Sequence, residues 1–296
     1  METERQLLDR LLCESGAVAW GVVPAAEVPA REWQRFEDWL AKGYHADMDY
    51  MERHKEIRRD PRLLLEGART IVSVAYSYRQ ENPYPGLATY ALGEDYHKVL
   101  RRRLKKVVAG MKNAFGGEWR ICIDSAPLLE RYWAERAGVG RRNPVHGNIM
   151  VDGVGSMVFL AELVTTLAPA EGPSSILMRE RAGLDPECGA ASTRGKIVAA
   201  VCPGGALKEG GTVDARRCIN YLTLEKREEL SEEERRLTGG VFFGCDICLR
   251  SSGEHRGNAL PVVPEFLPLP GLEAILRGEK NEELLRSPIN RKYRRR

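Results

Sequence analysis

The chain has 296 residues, 43% hydrophobic and 29% charged, with a net charge of only +3. This composition excludes wholesale disorder, and the length suits one large domain or two ordinary ones. No apolar run is long enough for a helix to cross a bilayer.

Taken in order, Leu7, Leu8, Leu11 and Leu12 share one face of a helix over residues 4–14. The polar start, Met1-Glu2-Thr3-Glu4-Arg5, lacks the basic and apolar pattern of a secretory signal. Residues 18–23 read as a short apolar strand and 31–41 as a second helix. Residues 70–78, rich in β-branched and aromatic side chains, read as a strand. Over 96–115 a helix turns Leu100, Leu104, Val107, Val108 and Met111 inward. Its outer face carries Lys98, Arg101, Arg102, Arg103, Lys105 and Lys106, either a solvated surface or a phosphate contact. Residues 120–123 form a strand, a helix is expected from about 127 to 136, and 157–166 is a buried strand. Alternating helices and strands predict an α/β (α+β) domain over 1–170.

Ala168-Pro169-Ala170-Glu171-Gly172-Pro173 reads as a boundary. Residues 171–265 are rich in Gly and Cys and too short to build a large core alone. A segment of this kind relies on a metal centre or on docking to a neighbour. Residues 266–296 are expected as a helical segment and a basic tail, with Arg286, Arg291, Lys292, Arg294, Arg295 and Arg296. Such a tail is a phosphate contact or a solvated terminus.

A cytoplasmic location, where thiols stay reduced, is expected, so the seven cysteines need a purpose other than disulfides. Cys13 in the first helix and Cys122 in an apolar strand read as ordinary buried thiols. Cys188 lies in a turn-like stretch, and its role is open. Cys202 precedes Pro203, Cys218 ends Asp214-Ala215-Arg216-Arg217-Cys218, and Cys245 and Cys248 form a C-x-x-C after Gly244. That spacing lets two thiolates converge through a tight turn, and the glycine relieves backbone strain beside them. Four thiolates suit either zinc or an iron–sulfur cluster.

Several longer motifs follow one another in a fixed order. They include Gly43-Tyr44-His45-Ala46-Asp47-Met48, Asp60-Pro61-Arg62-Leu63-Leu64 and Glu94-Asp95-Tyr96-His97-Lys98. Asp124-Ser125-Ala126-Pro127-Leu128-Leu129-Glu130-Arg131, Gly155-Ser156-Met157-Val158-Phe159-Leu160 and Ser287-Pro288-Ile289-Asn290-Arg291 come after them. On these motifs the chain resembles the epoxyqueuosine reductases, cobalamin-dependent iron–sulfur enzymes that complete queuosine in tRNA. The resemblance implies a cobalamin-binding α/β domain followed by a small ferredoxin-like domain with two 4Fe–4S clusters. Aligned on Cys202-Pro203, the first cluster run has Ser192, Gly195 and Val198 in place of cysteine. The second run has Ser252 in its third position. In paired runs the fourth cysteine of one motif serves the other cluster. The resemblance therefore implies one complete ligand set, Cys202, Cys218, Cys245 and Cys248, and one lost set.

The resemblance also implies an aspartate general acid beside the corrin, matched by Asp124. From its own neighbours, Asp124 or Ser125 could equally cap a helix with Pro127 in its first turn. Tyr96 and His97 are expected against the corrin or the substrate, or as helix-start packing, and His45 is similarly open. His146 sits in Arg141-Arg142-Asn143-Pro144-Val145-His146-Gly147, a loop that departs from the family pattern. The leading expectation is a single-cluster, cobalamin-dependent oxidoreductase acting on tRNA and fed by an external single-electron donor, with no membrane partner. The alternatives are a non-catalytic relative that binds cobalamin or senses redox state, and a zinc-stabilised tRNA-binding module.

Overall fold

The structure, a computed structural model, describes residues 2–169, 202–251, 263–277 and 287–289. Cys188, Ser192, Gly195, Val198, Ser252 and the arginines and lysine of the basic tail lie outside the described residues. Helix α1, Glu4–Glu14, starts at Thr3, whose hydroxyl accepts the Gln6 N–H while the Thr3 N–H donates to the Gln6 side chain. Strand β1 is Ala19–Pro24, α2 is Ala30–Ala41, α3 is Lys55–Arg59 and β2 is Thr70–Ser77. Helix α4, Tyr96–Phe115, begins where Asp95 accepts the His97 N–H at 3.0 Å. Then follow β3 (Trp119–Cys122), α5 (Glu130–Arg136), a short β4–β5 ribbon (Arg141–Arg142 and Ile149–Met150) and β6 (Val158–Thr165).

The main sheet has the order β1-β2-β6-β3, and every neighbouring pair is antiparallel. The alternation of helices and strands is thus built around an antiparallel sheet, which makes the mixed α/β fold one of the α+β kind. One face packs on α2 and α5 through Trp33, Phe36, Leu40, Ile71, Trp133 and Val164. The other packs on α1 and α4 through Leu8, Leu12, Trp20, Val72, Leu104 and Leu163. Covered on both sides, β2 is buried at every residue, which explains why five of its eight residues are apolar and none faces water.

The later segment is small. Strands β7 (Leu207–Lys208) and β8 (Thr212–Val213) pair, and short helices span Ile219–Leu224, Glu232–Thr238 and Ile247–Ser251. This segment leans on the sheet domain. Trp39 Nε1 donates to the Val213 carbonyl at 2.8 Å, Ala215 N–H to Tyr44 at 2.8 Å, and the Tyr221 hydroxyl to Asp47 at 2.6 Å. Phe243 pairs with Leu87, and its carbonyl accepts the Ala88 N–H at 3.0 Å. The basic face of α4 is not wholly free either. Glu265 holds Arg102 at 3.1 Å and Arg103 at 2.5 Å. Among the described residues, no helix is long and apolar enough to cross a membrane.

Candidate active site

Asp124 follows β3 with its backbone in the left-handed region, φ +56°. The turn is tight, with Ser125 N–H on the Ile123 carbonyl at 2.5 Å. The next helix starts at Glu130, three residues later than its sequence suggests, and Leu129 at its N-cap offers no side-chain cap. Neither Asp124 nor Ser125 caps α5. The bond runs the other way: Glu130 Oε1 accepts the Asp124 N–H at 2.8 Å. The 62% exposed Asp124 side chain reaches α4, where its Oδ2 lies 3.2 Å from His97 Nε2. His97 Nδ1 is 2.8 Å from Asp95 Oδ1. The Tyr96 ring stacks between Phe159, at 4.2 Å, and His97, at 3.9 Å, and its hydroxyl donates to Asp124.

These groups hold protons tightly. Burial, then the Asp124 charge, pushes the Tyr96 phenol far above its ordinary value. Burial works against a charged His97, but its bonds to Asp124 and Asp95 outweigh that and raise it. Burial, then the Asp124 charge, pushes Glu130 up to about 7.

Tyr50 is 40% exposed, yet desolvation, then the charges of Glu225 and Asp124, pushes its phenol up to about 12. Desolvation lowers the Arg131 guanidinium, against the charges of Glu130 and Asp124 and also those of Cys248 and Cys218. Arg131 therefore couples electrostatically to both the aspartate turn and the thiols.

Four thiols converge. Each of the six pairs among Cys202, Cys218, Cys245 and Cys248 interacts electrostatically. For three of them burial is the first cause of a shift, raising Cys218 and pushing Cys245 up to about 11 and Cys248 up to about 12. These three stay neutral until a metal centre takes them as thiolates. Two glycines allow the convergence. A side chain at Gly204 would run into the Arg217 carbonyl, so only glycine lets Cys202-Pro203-Gly204 lie against Arg217-Cys218. Gly244, at φ +70°, would place a Cβ 2.6 Å from the Tyr90 hydroxyl. Asp246, inside the C-x-x-C, is fixed by accepting the Thr89 N–H at 2.9 Å and its hydroxyl at 2.5 Å. Among the described residues, no three His, Cys, Asp or Glu side chains stand close enough to hold a single metal ion. Four mutually coupled cysteine thiols are the donor set that a 4Fe–4S cluster takes.

Cys122 is buried, its thiol pushed up to about 12 mainly by desolvation, and Cys13 is half-buried. His45 packs against Trp39, with Nε2 3.7 Å from Glu52. His146 is buried in a loop bonded to itself: its Nδ1 accepts the Asn148 N–H at 3.3 Å, and Asn143 Oδ1 accepts the Val145 N–H at 2.8 Å. An open cleft of about 390 Å³ adjoins the Asp124 turn, lined by Arg101, Trp119, Arg120, Ile121, Ser125 and Ala126. Glu130 and Arg131 went unnoticed in the sequence. Their signal was membership of the Asp124 motif, hidden because both read as ordinary first-turn residues of a helix.

Residues 58–125 match the family described as epoxyqueuosine reductase QueG, DUF1730, and residues 199–251 match a 4Fe–4S double cluster binding domain. The first match takes in Tyr96, His97 and Asp124. The second takes in all four cysteines and stops short of residues 192, 195, 198 and 252. The epoxyqueuosine reductase of Cyclobacterium marinum is 32% identical over 308 residues, covering 100% of this chain and 92% of that one. This chain belongs to the epoxyqueuosine reductase family. The Escherichia coli epoxyqueuosine reductase is 38% identical over 252 residues, 81% of this chain, and the match spans 62% of that relative's length. A solved epoxyqueuosine reductase bound to an epoxyqueuosine-modified tRNA stem loop has a TM-score of 0.77 at 26% identity, covering 97% of this chain and 77% of its own.

Proposed function

We propose that this protein reduces epoxyqueuosine to queuosine in tRNA, using cobalamin and a single 4Fe–4S cluster. The observation that carries this reading is Arg131, which feels both the Asp124–Glu130 turn, with His97 bonded to Asp124, and the thiols of Cys218 and Cys248. Cys202, Cys218, Cys245 and Cys248 would hold the cluster, and Tyr96 and His97 would face the corrin. When bound, these groups supply the low-potential single electrons that no side chain offers. Removing an epoxide oxygen takes two electrons and two protons and gives an alkene and water.

The protons fall to the protein. Asp124 donates to the departing oxygen as general acid. His97, raised by its bonds to Asp124 and Asp95, keeps a proton within reach of Asp124. Tyr96 stays neutral and aims the carboxyl through its hydroxyl. Arg131 offsets the negative charge of the thiolates. On this reading residues 1–170 are the catalytic, corrin-binding domain, 171–265 the iron–sulfur domain, and 266–296 a helical segment with a basic tail. The protein works in the cytoplasm with an external single-electron donor.

The test is turnover of epoxyqueuosine-containing tRNA by the protein given reductant and cobalamin, read by nucleoside mass spectrometry. Queuosine is expected, and Asp124→Asn should lower the rate by at least ~100-fold with RNA binding retained. No queuosine from the wild type would sink the reading and favour a non-catalytic relative. Full turnover by Asp124→Asn would remove Asp124 from the acid role alone.

A further inference from the structure

The Asp124 turn needs something to hold it. Asp124 is one of three non-glycine residues among those described with a positive φ, beside Ala46 and His54. A left-handed residue with a side chain costs roughly 1–2 kcal/mol, although Asp tolerates it better than most. Two bonds restrain the turn from opposite sides. His97 holds the side chain from α4, and Glu130 holds the backbone N–H from α5 at 2.8 Å. Glu130 is well placed as an anchor because it opens a helix whose Tyr132, Trp133 and Ala134 are buried beneath the sheet. Leu129 supplies no competing side-chain bond.

We propose that Glu130 is the positioning residue of the site, its carboxylate clamping the left-handed Asp124 turn. The meaning given to Asp124 rests on the function proposed above, whereas the clamp itself does not. The clamp is sensitive to pH. Burial, then the Asp124 charge, sets Glu130 to about 7. The charged groups acting on it come from each packed element: Asp124 from the turn, Arg131 from α5 and His97 from α4. Glu130 in turn acts on Arg58 of α3, Tyr96 of α4, Cys122 of β3 and Glu162 of β6. A carboxylate accepts an N–H more strongly than a neutral acid does. The turn is therefore held more firmly above about pH 7 and loosens below it.

Amide hydrogen exchange of the full-length protein over residues 123–129, corrected for the intrinsic pH dependence, tests this without substrate. The wild type should exchange there at least ~3-fold faster at pH 6 than at pH 8. Glu130→Gln keeps an oxygen acceptor but cannot ionise, so its corrected exchange should be flat across that range. Glu130→Ala should exchange about tenfold faster at pH 8. In turnover, the alanine variant should lose kcat with its KM for RNA unmoved, and the glutamine variant should recover much of the loss. Wild-type protection in the alanine variant at pH 8, or wild-type pH dependence in the glutamine variant, overturns the proposal. Should the alanine variant not fold, the wild-type and glutamine pH series still decides. A wild type that shows this exchange pattern but makes no queuosine sinks the proposed function and leaves the clamp standing.

Discussion

Glu162 is the most unusual single residue of the core. It lies on β6 opposite Ser73 of β2 and Cys122 of β3, and it is wholly buried. Its Oε1 accepts the Ser73 hydroxyl at 3.2 Å, while its Oε2 has no hydrogen-bond partner among the described residues. An ionised carboxylate so placed would carry a desolvation cost of several kcal/mol. Burial, then the charge of Glu130, raises Glu162 well above the ordinary carboxylate range, so it stays a neutral acid. The sign of the linkage follows. A raised carboxyl binds its proton more tightly when folded, so its contribution is full below the ordinary glutamate value and is lost as pH rises towards the folded one. Glu162→Gln should therefore match the wild type at pH 5 within about 1 kcal/mol. Its melting temperature should fall less than that of the wild type as the pH is taken to 9. Parallel curves for the two proteins would mean that Glu162 does not titrate against the fold.

At the scale of elements, the thiol segment has a small core of its own, centred on Ala215, Tyr221 and Leu222. Its helices are five to seven residues long, and it borrows contacts from Trp39, Tyr44 and Leu87. Anaerobically prepared protein should hold about four irons per chain, and Cys245→Ala should lose them together rather than one at a time. Zinc alone in the wild type would refute the cluster. The convergence of these cysteines was only partly legible in the sequence. The C-x-x-C and its glycine pointed to a centre, but the role of Gly204 appears only when Arg217 is seen against it. By contrast, α1 and α4 match the ranges that apolar spacing gives, and the structure adds the caps at Thr3 and Asp95 that fix their starts. The antiparallel strand order was not, since periodicity reports which faces are apolar and says nothing of which strand lies beside which. The start of α5 was misplaced because the Asp124 turn, held by Glu130, keeps residues 124–129 out of the helix. The sequence rule that Pro opens a helix gave no warning of that bond.

For the whole molecule, a net charge of +3 says little, and the placement of free cations says more. On α4 the fold removes Arg102 and Arg103 from the basic face by tying them to Glu265. Arg101 remains, and with Arg120 it lines the cleft beside the Asp124 turn, neither making an ion pair among the described residues. If a modified base is to reach Asp124, the phosphates of its own and adjoining nucleotides must pass close to that turn. Two unneutralised arginines there suit them. Arg101→Glu should then weaken binding of a tRNA stem loop, and the slope of log affinity against log salt should shrink by about one for each phosphate left without its cation. Arg236→Glu, on the exposed side of the helix Glu232–Thr238, makes the same change in net charge and serves as the control. It should leave both affinity and slope near wild type. Equal losses in the two variants would show that the RNA senses overall charge and that the cleft does not bind it. A loss confined to Arg101 would set the RNA backbone in the cleft that Arg101 shares with Arg120 and Ser125.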